Sequence, residues 1–366
     1  MAVLIDLIAG ARPNFMKIAP IIRAIESRKA QGGALRYRLV HTGQHYDTRM
    51  SGDFFAQLGI PEPTINLAAG SGTQAEQTAA IMTSYEALLM QDPSALCLVV
   101  GDVTSTMACA IVAQKLHVPV AHVEGGIRSG DWTMPEEINR MVTDAITNWF
   151  FTTSEGANAN LRRSGVADDR IFFVGNTMID TLLVNMDRLQ PPPFSNEIGL
   201  QPSRYFVMTL HRPANVDASA PLARMLEAIA AGTRGLPVIF PAHPRTAKTL
   251  QTLPSLPPSL RLVDPQPYLE FNWLVKHAMA VITDSGGITE EATVMGVPCL
   301  TLRDTTERPE TISLGTNELI GTDPTRLKPA LDRLFAGQWK KGGIPEMWDG
   351  KSGERIVAAL ERLLAC

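Results

Sequence analysis

The stretch Val118-Pro-Val-Ala-His-Val-Glu-Gly-Gly126 decides the fold, because a short β-branched apolar run passes directly into a carboxylate and two glycines. Such a run predicts a central strand of a parallel sheet, and the glycine pair ends it in a loop. In an open α/β sheet, the loops at the carboxyl ends of the strands are where ligands bind. Charged residues continue through Ile127-Arg-Ser-Gly-Asp-Trp-Thr-Met-Pro-Glu-Glu-Ile-Asn-Arg140. We therefore predict a parallel α/β sheet with reactive groups at the end of a buried strand.

The same alternation of strand-like and helical patterns runs along the whole chain and predicts doubly wound parallel sheets. The strand-like runs form two sets, at 3–9, 37–43, 96–102, 118–124, 148–154 and 171–176, and at 204–211, 237–243, 260–264, 279–284, 298–303 and 317–321. A chain of 366 residues exceeds what one hydrophobic core usually supports, and its 45% hydrophobic residues are enough for two. We predict an α/β protein with two Rossmann-like domains.

The domain boundary is predicted at Leu189-Gln-Pro-Pro-Pro-Phe-Ser195, since three consecutive prolines cannot continue a helix or a central strand. This places an N-terminal domain at residues 1–188 and a C-terminal domain at residues 189–352. The last segment, 353–366, has helical periodicity, and its place after the second domain allows it to pack back on the first.

Composition and motifs exclude several classes of function. The net charge of -4 and the absence of a long basic run give no electrostatic reason to expect nucleic acid or an anionic membrane. The four cysteines lack C-x-x-C spacing, which predicts reduced thiols in a cytoplasmic protein and no zinc. No apolar run approaches membrane-spanning length, and the apolar N-terminus is predicted to be a strand instead of a signal peptide.

Cofactor motifs point the same way. The glycine-containing turn Gly10-Ala-Arg-Pro-Asn-Phe-Met-Lys17 is neither G-x-G-x-x-G nor a P-loop, so nicotinamide chemistry and ATP hydrolysis lose their main support. H-x-H, H-E-x-x-H and D-x-D patterns do not occur, so we expect no metal. Arg12 and Lys17 have the chemistry to neutralise a phosphate, although such residues near a helix start are more often plain surface groups.

Polar side chains follow the apolar strands in both halves of the chain. By the strand-end rule they line the crevices at the carboxyl edges of the two sheets, which predicts an interdomain cleft, acidic on one side and basic to mixed on the other. Some of these positions also suit helix caps or loops, but so many coincidences favour a site. The residues are Arg12, Asp102, Glu124, His211, His243, Asp284, Ser285, Arg303 and Asp304.

The acidic side of this predicted cleft holds Asp102, Glu124 and Glu136. Neighbouring carboxylates in a partly dry cleft raise one another's pKa, so one donates a proton while another accepts one near neutral pH. Capping of the following helix is the commoner role for an aspartate such as Asp102. Glu136 and Glu137 also suit the first turn of a helix after Pro135.

The other side is predicted to bind an anion. Asp284-Ser-Gly-Gly-Ile-Thr-Glu-Glu291 follows an apolar strand and opens a helical pattern, and the free N–H groups of a helix start favour a phosphate. Acidic residues in that helix have the chemistry to bind ribose hydroxyls. A capped helix after a tight turn is the structural alternative. Together with Arg303-Asp-Thr-Thr-Glu-Arg308, His211 and His243, a nucleoside diphosphate becomes the better interpretation.

These motifs, taken in order, resemble the non-hydrolysing UDP-N-acetylglucosamine 2-epimerases over nearly the whole chain. The motifs are Gly10-x-Arg-Pro-x-x-x-Lys17, Gly101-Asp-x-Thr-Ser-Thr106, Val123-Glu-Gly-Gly-Ile-Arg-Ser-Gly-Asp131, Pro135-Glu-Glu-x-Asn-Arg140, Gly175-Asn-Thr177, His211-Arg212, Asp284-Ser-Gly-Gly-Ile-x-Glu-Glu291 and Arg303-Asp-Thr-Thr-Glu-Arg-Pro-Glu310. The resemblance implies a GT-B-like fold, a homodimer, and interconversion of UDP-GlcNAc and UDP-ManNAc without a cofactor. It further implies anti elimination of UDP to a 2-acetamidoglucal, followed by re-addition.

The resemblance also implies roles for individual positions. Asp102, Glu124 and Glu136 become the acid/base groups, and His211 assists at the diphosphate. The implied substrate- and UDP-binding residues are Arg12, Lys17, Arg140, Asn176, Arg212, His243, Ser285, Gly286, Gly287, Glu291 and Arg308.

Several departures from the family pattern leave alternatives open. Ala11 and Asn14 stand where many members have Thr and Glu, and Pro213-Ala214 replace acidic or basic residues, so a related modified UDP-sugar stays possible as substrate. A second, activating UDP-GlcNAc site is matched by Gln44, Arg212 and His243, but not by Asp47 or Ala68-Ala-Gly-Ser-Gly72. A hydrolysing epimerase, a GT-B glycosyltransferase and a non-catalytic sensor are the competing functions, the last two disfavoured by the three carboxylates.

Overall fold

The computed structural model describes residues 2–43, 55, 57–242 and 244–366, with all their side chains except those of Arg12, Pro213, Ala214, Pro244 and Arg245. Gln44 and His243, which match the activator site, and Asp47, which departs from it, lie outside the described residues. The chain divides into two compact units, Met1–Val184 with Glu346–Cys366, and Asn185–Pro345.

Unit 1 is built on a seven-stranded parallel sheet with the order β3-β2-β1-β4-β5-β6-β7. Its strands are β1 (Val3–Ala9), β2 (Leu35–His41), β3 (Ile65–Asn66), β4 (Leu96–Val100), β5 (Val120–Val123), β6 (Trp149–Thr152) and β7 (Ile171–Phe173). Its helices are α1 (Arg12–Ala30), α2 (Gln74–Gln91), α3 (Thr104–Lys115), α4 (Pro135–Ile146), α5 (Glu155–Arg163), α6 (Thr177–Asn185), which reaches the boundary, and the C-terminal α15 (Ser352–Leu363).

Unit 2 repeats the plan with a six-stranded parallel sheet of order β10-β9-β8-β11-β12-β13. Its strands are β8 (Phe206–Thr209), β9 (Val238–Pro241), β10 (Leu260–Val263), β11 (Ala280–Thr283), β12 (Cys299–Thr301) and β13 (Asn317–Leu319). Its helices are α7 (Phe194–Glu197), α8 (Pro213–Val216), α9 (Ser219–Gly232), α10 (Pro244–Leu250), α11 (Tyr268–His277), α12 (Gly286–Val294), α13 (Pro309–Ser313) and α14 (Leu327–Phe335).

The two sheets confirm the predicted α/β class with two Rossmann-like parallel sheets. All five residues of β4 are buried, as are all four of β5 and of β11, because helices cover both faces of each sheet. The strand-like runs of the sequence each overlap an observed strand, and β3 is the one strand of the described chain that they missed. β3 spans only Ile65–Asn66, which is too short to produce an alternating pattern.

Each sheet has a point where the strand order reverses, and this point positions the functional residues. In unit 1 it lies between β1 and β4, and in unit 2 between β8 and β11. The loops that leave neighbouring strands diverge there, which opens a crevice at the carboxyl edge of the sheet. The predicted site residues that follow β1, β4, β8 and β11 therefore belong to the switch points of the two sheets.

The unit boundaries differ from the predicted ones at 188/189 and 352/353. The returning segment begins at Glu346, because Trp348 is buried in unit 1 and its Nε1 donates to the carbonyl of Thr153 at 3.1 Å. Helix α15 follows and starts with a bond from Gly353 N to Asp180 Oδ2 at 2.8 Å. Trp348 is distant in sequence from Thr153, which it contacts, so no local sequence pattern predicts its burial.

Helix α15 lies against α1 at a proline inside that helix. Pro20 has no N–H, so it cannot bond the carbonyl of Met16 four residues earlier. The hydroxyl of Thr181 on α6 donates to that carbonyl at 2.7 Å instead. A Cβ on Gly353 of α15 would lie 2.6 Å from the carbonyl oxygen of Pro20, so glycine permits the close approach. None of the described helices is long and apolar enough to cross a membrane.

Candidate active site

Glu124 directly follows β5 in a strained backbone conformation. Its φ is +71°, a left-handed value that residues with a Cβ seldom adopt, and its N–H donates to the carbonyl of Phe151 at 2.8 Å. The residue is 4% exposed. Strained non-glycine residues of this kind are concentrated at functional sites, where the surrounding structure holds them. The strand end therefore aims a buried carboxylate away from the extended course of β5.

Lys17 of α1 meets this carboxylate. The Nζ of Lys17 lies 2.6 Å from Oε2 of Glu124, and both side chains are almost fully buried. The turn before Asp102 makes room for the ammonium group, because a Cβ on Gly101 would lie 2.9 Å from that Nζ. The predicted phosphate-binding Lys17 is thus a partner of the predicted proton-transfer group Glu124 in this structure.

Asp102 follows β4 and is held from helix α4. Its Oδ2 accepts from Nη2 of Arg140, and its backbone carbonyl accepts from Nδ2 of Asn139 at 2.8 Å. The N-cap of α3 is Val103, without a side-chain cap bond, so Asp102 does not cap that helix. Arg140, predicted to bind substrate, is buried with its guanidinium against Asp102 and Glu137.

Glu136 and Glu137 occupy the first turn of α4, after Pro135, and differ in environment. Glu137 is 3% exposed, and its carboxylate accepts from Arg140 and from the backbone N–H groups of Ser129 and Gly130. Burial raises the pKa of Glu137, but these hydrogen bonds outweigh it and leave the pKa below its ordinary value. Glu137 thus holds the preceding loop, whereas Glu136 is half-buried.

Two buried asparagines, Asn14 and Asn176, follow β1 and β7 in unit 1. Asn14 is buried and its Oδ1 accepts from the N–H groups of Gly10 and Ala11, while its Nδ2 donates to the carbonyl of Val100 at 3.0 Å. Asn14 thereby ties the loop after β1 to the end of β4. Asn176 is fully buried after β7, and its Nδ2 has no hydrogen-bond partner among the described residues. Arg12 opens α1, and its side chain is not described.

In unit 2, hydrogen bonds to Asp284 connect the loop after β8 to the end of β11 at the switch point. It is fully buried after β11, and its carboxylate accepts from the N–H groups of His211 and Arg212 and from Nδ2 of Asn215. The Nδ1 of His211 lies 2.8 Å from Oδ1 of Asp284. Burial raises the pKa of Asp284, but the contact with His211 and the other donors hold it below its ordinary value. With Nδ1 engaged, Nε2 of the half-exposed His211 is the ring nitrogen that can reach a ligand.

Helix α12 begins directly after Asp284 and offers an anion site. Its N-cap is Ser285, whose side chain makes no capping bond, so the first N–H groups of the helix keep their capacity for a ligand. A Cβ on Gly286 would lie 2.7 Å from Oε1 of Glu307, so a side chain at this position would displace that carboxylate. Gly287 follows in the first turn. These features are those expected of a diphosphate site at a helix start.

Acidic residues of α12 lie behind this helix start. Glu291 is 4% exposed, and burial raises its pKa to about 7, with Tyr268 and Asn272 as hydrogen-bonding neighbours that oppose the rise. The adjacent Glu290 is paired with Nε of Arg308. Arg308, predicted to bind UDP, is therefore in an ion pair within unit 2.

Basic residues after β12 and β8 share one glutamate. The Nη2 of Arg303 lies 2.6 Å from Oε2 of Glu307, and Arg212 lies 3.9 Å from the other oxygen of that carboxylate. Arg212 also donates from Nε to the carbonyl of Asp284 at 3.1 Å. Among the described residues no group of three or more His, Cys, Asp or Glu side chains could hold a metal ion.

In unit 1 the structure pairs Lys17 with Glu124 and Arg140 with Asp102, and in unit 2 it brings His211 and Arg212 to Asp284. Asn176 follows the edge strand β7, away from the switch point, and the side chain of Arg12 and all of His243 lie outside the described part of the chain. The structure also shows partners that the sequence analysis missed, namely Asn14, His122, Asp144, Asn215 and Glu307. The one sequence signal that pointed to Asn14 was its departure from the family pattern. His122 was hidden inside an apolar strand, and the others lie on helices or loops whose partners are remote in sequence.

Known proteins are similar to this chain over most of its length. A family model described as UDP-N-acetylglucosamine 2-epimerase matches residues 27–361. The UDP-N-acetylglucosamine 2-epimerase of Methanocaldococcus jannaschii is 39% identical, over 97% of this chain and 98% of that protein. The UDP-2,3-diacetamido-2,3-dideoxy-D-glucuronate 2-epimerase of Pseudomonas aeruginosa is also 39% identical, over 86% of this chain and 87% of that protein.

Solved structures extend the similarity to the fold. The crystal structure of the Methanocaldococcus jannaschii UDP-GlcNAc 2-epimerase in complex with UDP-GlcNAc and UDP matches with a TM-score of 0.89, covering 98% of this chain and 100% of that one at 39% identity. This match confirms the predicted GT-B-like fold class. The chain therefore belongs to the UDP-N-acetylglucosamine 2-epimerase family.

Proposed function

We propose that this protein interconverts UDP-GlcNAc and UDP-ManNAc by eliminating UDP and adding it back. The observation that carries the proposal is the buried Glu124, held at a positive φ against Lys17 at the end of a central strand. Membership of the epimerase family favours this reaction over a glycosyltransferase or a non-catalytic sensor.

The chemistry requires a proton to leave C-2 of the sugar and return on the other face. A base takes the C-2 proton, the C–H electrons form the double bond to C-1, and the C-1–oxygen bond breaks with its electron pair on UDP. The product is a 2-acetamidoglucal. UDP then adds to C-1 while an acid delivers a proton to the opposite face of C-2, so atoms and charge balance without a redox cofactor. The C-2 proton is weakly acidic, so both transfers need positioned groups.

Asp102, Glu124 and Glu136 are the proposed proton-transfer groups. Asp102 and Glu124 follow neighbouring strands, β4 and β5, and each is held by a basic partner, Arg140 or Lys17. Such partners fix the orientation of a carboxylate, and reacting groups that are fixed beforehand lower the barrier. Glu136 lies one residue from the buried Glu137, in the same first turn of α4.

Unit 2 supplies the proposed UDP site. The N–H groups at Ser285, Gly286 and Gly287 and the Nε2 of His211 are proposed to stabilise the charge that develops on the departing diphosphate. The buried Glu291 is proposed to accept hydrogen bonds from the ribose hydroxyls. Further proposed ligands to the nucleotide sugar are Arg12, Lys17, Arg140, Asn176, Arg212, His243 and Arg308.

A modified UDP-sugar is a second candidate substrate. The Pseudomonas aeruginosa enzyme that acts on a diacetamido uronate is as similar in identity as the Methanocaldococcus jannaschii enzyme, although over less of the chain. Hydrolysis of the intermediate, with release of free ManNAc and UDP, is the remaining alternative.

Proton NMR of UDP-GlcNAc with the protein in D₂O tests these functions together. Interconversion predicts UDP-ManNAc with deuterium at C-2 of both UDP sugars. Free ManNAc would point to hydrolysis. An unchanged spectrum with UDP-GlcNAc, followed by C-2 exchange in the diacetamido uronate sugar, would assign the modified substrate. No exchange with either sugar would overturn the proposed function.

We further propose a cytoplasmic homodimer. Two apolar side chains one turn apart on α4, Ile138 and Met141, are 46% and 36% exposed, and Trp132 in the preceding loop is 67% exposed. Exposed apolar residues gathered on one surface are typical of contacts between chains. Light scattering coupled to size exclusion tests the proposal, and a monomer mass at micromolar concentration would refute it.

A further inference from the structure

His122 is a buried histidine whose two ring nitrogens both face hydrogen-bond acceptors. It lies in β5, two residues before Glu124, and is 0% exposed. Its Nε2 lies 2.8 Å from the carbonyl oxygen of Gly101, and its Nδ1 lies 2.7 Å from Oδ1 of Asp144. A carbonyl oxygen can only accept a hydrogen bond, so Nε2 carries a hydrogen.

Asp144 determines the state of the other nitrogen. Its second oxygen, Oδ2, accepts from the N–H of Gly126 at 3.0 Å and from Nη1 of Arg128 at 2.6 Å. Burial raises the pKa of Asp144, but the bond to His122 and the charge of Arg128 outweigh it and leave the pKa below its ordinary value. An ionised carboxylate can only accept, so this contact requires a hydrogen on Nδ1 as well as on Nε2.

The pair is connected to the backbone on both sides of the proposed proton-transfer groups. Gly101, which accepts from His122, directly precedes Asp102. Gly126, which donates to Asp144, comes two residues after Glu124. Both glycines have positive φ values, +66° and +82°, so neither loop continues its strand in an extended course. The buried His122–Asp144 contact thus bridges the two turns that carry the two carboxylates.

We infer that His122 and Asp144 form a buried ion pair that positions Asp102 and Glu124 for proton transfer. Both are positioning residues, since they act through the backbone of the two turns and through helix α4. The inference rests on the proposed function for its kinetic consequence, whereas the ion pair itself is measurable without any substrate. Asp144 lies on the same helix as Arg140 and Asn139, so the pair also fixes the helix that holds Asp102.

The first test examines the wild-type protein at pH 7 by NMR with ¹⁵N-labelled histidine. We expect two protonated ring nitrogens for His122, identified by their loss in His122→Gln. His277, whose Nδ1 lies 2.9 Å from the carbonyl of Trp273, gives a second ring signal that His277→Gln removes. A His122 ring with one unprotonated nitrogen would overturn the ion pair.

The second test measures turnover. We expect His122→Gln and Asp144→Asn each to lower kcat by about 10²-fold, because small displacements of reacting groups cost about that much, while KM for UDP-GlcNAc changes little. His277→Gln, in unit 2, is the control that keeps wild-type kcat. Rates are divided by the folded fraction from circular dichroism, since a structural role alone would reduce only that fraction. Unchanged kcat per folded molecule in both variants would overturn the positioning role.

The two failures are distinguishable. If wild-type protein does not exchange the C-2 proton, the proposed function is wrong, and the NMR test still decides whether the ion pair exists. If wild-type protein turns over and the two variants match it, the positioning role is wrong and the proposed function stands.

Discussion

Lys17 and Glu124 are 107 residues apart in the sequence, and yet Nζ of Lys17 lies 2.6 Å from Oε2 of Glu124. The contact joins the helix after β1 to the loop after β5, across the switch point of the first sheet. It places a buried cation beside a carboxylate that the proposed reaction uses for proton transfer. Two predictions follow from this pair, one on catalysis and one on stability.

Glu124→Gln is expected to lower turnover by about 10²–10⁴-fold, the usual contribution of a general acid or base, because the amide cannot exchange the C-2 proton. The measurement is UDP-ManNAc formation and C-2 deuterium incorporation by NMR. The exposed Glu86→Gln serves as control and keeps wild-type turnover. Near-wild-type turnover of Glu124→Gln would remove it from the proton-transfer groups.

Lys17→Met is expected to lower the free energy of unfolding by about 3–5 kcal/mol, since it removes the ammonium group that lies beside the buried carboxylate of Glu124. Adding Glu124→Gln to this variant removes the buried carboxylate charge as well, so the double variant is expected to recover part of the loss. Urea denaturation measures both. Lys29→Met is the control, because its pair with Glu26 is exposed and worth at most about 1 kcal/mol. Additive losses in the double variant would contradict the buried pair.

Asp284→Asn is expected to make the free energy of unfolding depend less on pH in the acid range. The pKa of Asp284 is lowered in the folded protein, so its contribution is present above its ordinary pKa and is lost as pH falls through the folded value. The variant is less stable than wild type at pH 7, and the difference shrinks as pH falls below about 4. Denaturant titrations at pH 3 to 7 check this, and a pH-independent difference would argue against an ionised Asp284.

Glu291→Gln is expected to become more stabilising as pH rises. Burial raises the folded pKa of Glu291 from 4.5 to about 7, so the stability of wild type is lost as pH rises through this window. Relative to wild type, the variant gains roughly 3 kcal/mol between pH 4 and pH 8, which corresponds to that pKa shift. Thermal unfolding across this range measures the gain, with the exposed Glu227→Gln as control. A constant difference would disprove the raised pKa.

Gly175→Ala is expected to destabilise the protein more than Gly165→Ala. Both glycines have positive φ, +94° and +84°, so each alanine costs about 1–2 kcal/mol for the left-handed backbone. At Gly175 a Cβ would also lie 2.0 Å from the carbonyl oxygen of Met347, whereas at Gly165 nothing lies within 4 Å. The difference between the two free energies of unfolding isolates this clash. Equal losses would show that the returning segment adjusts freely.

The residues at strand ends were predictable because a parallel strand has a simple signature. An apolar β-branched run followed by glycine or a charged residue predicts the strand-end positions of Asp102, Glu124, His211 and Asp284 from the sequence alone. The partners of these residues were not predictable. Arg140 was expected to bind substrate, yet its guanidinium contacts Asp102 and Glu137, because the position of α4 against β4 depends on packing that no local pattern records.

His122, in an apolar strand, is a second residue whose partner could not be predicted from the sequence. His122 contributes to the strand pattern as if it were apolar, and its contact with Asp144, 22 residues later, has no signal in the local sequence. The beginning of the returning segment at Glu346 was missed for the same reason, since the burial of Trp348 depends on Thr153 in a distant strand end.

The hydroxyl of Thr181 donates the hydrogen bond that the N–H of residue 20 would donate if this residue were not proline. This replacement limits which residues relatives of this chain can have at positions 20 and 181. Valine has the shape of threonine but no hydroxyl, so at position 181 it would leave the carbonyl of Met16 without its donor. An alanine at position 20 would supply its own N–H, so the carbonyl of Met16 would no longer need the hydroxyl of Thr181. We therefore expect the two positions to covary, with hydroxyl residues at 181 retained in those relatives that keep the proline.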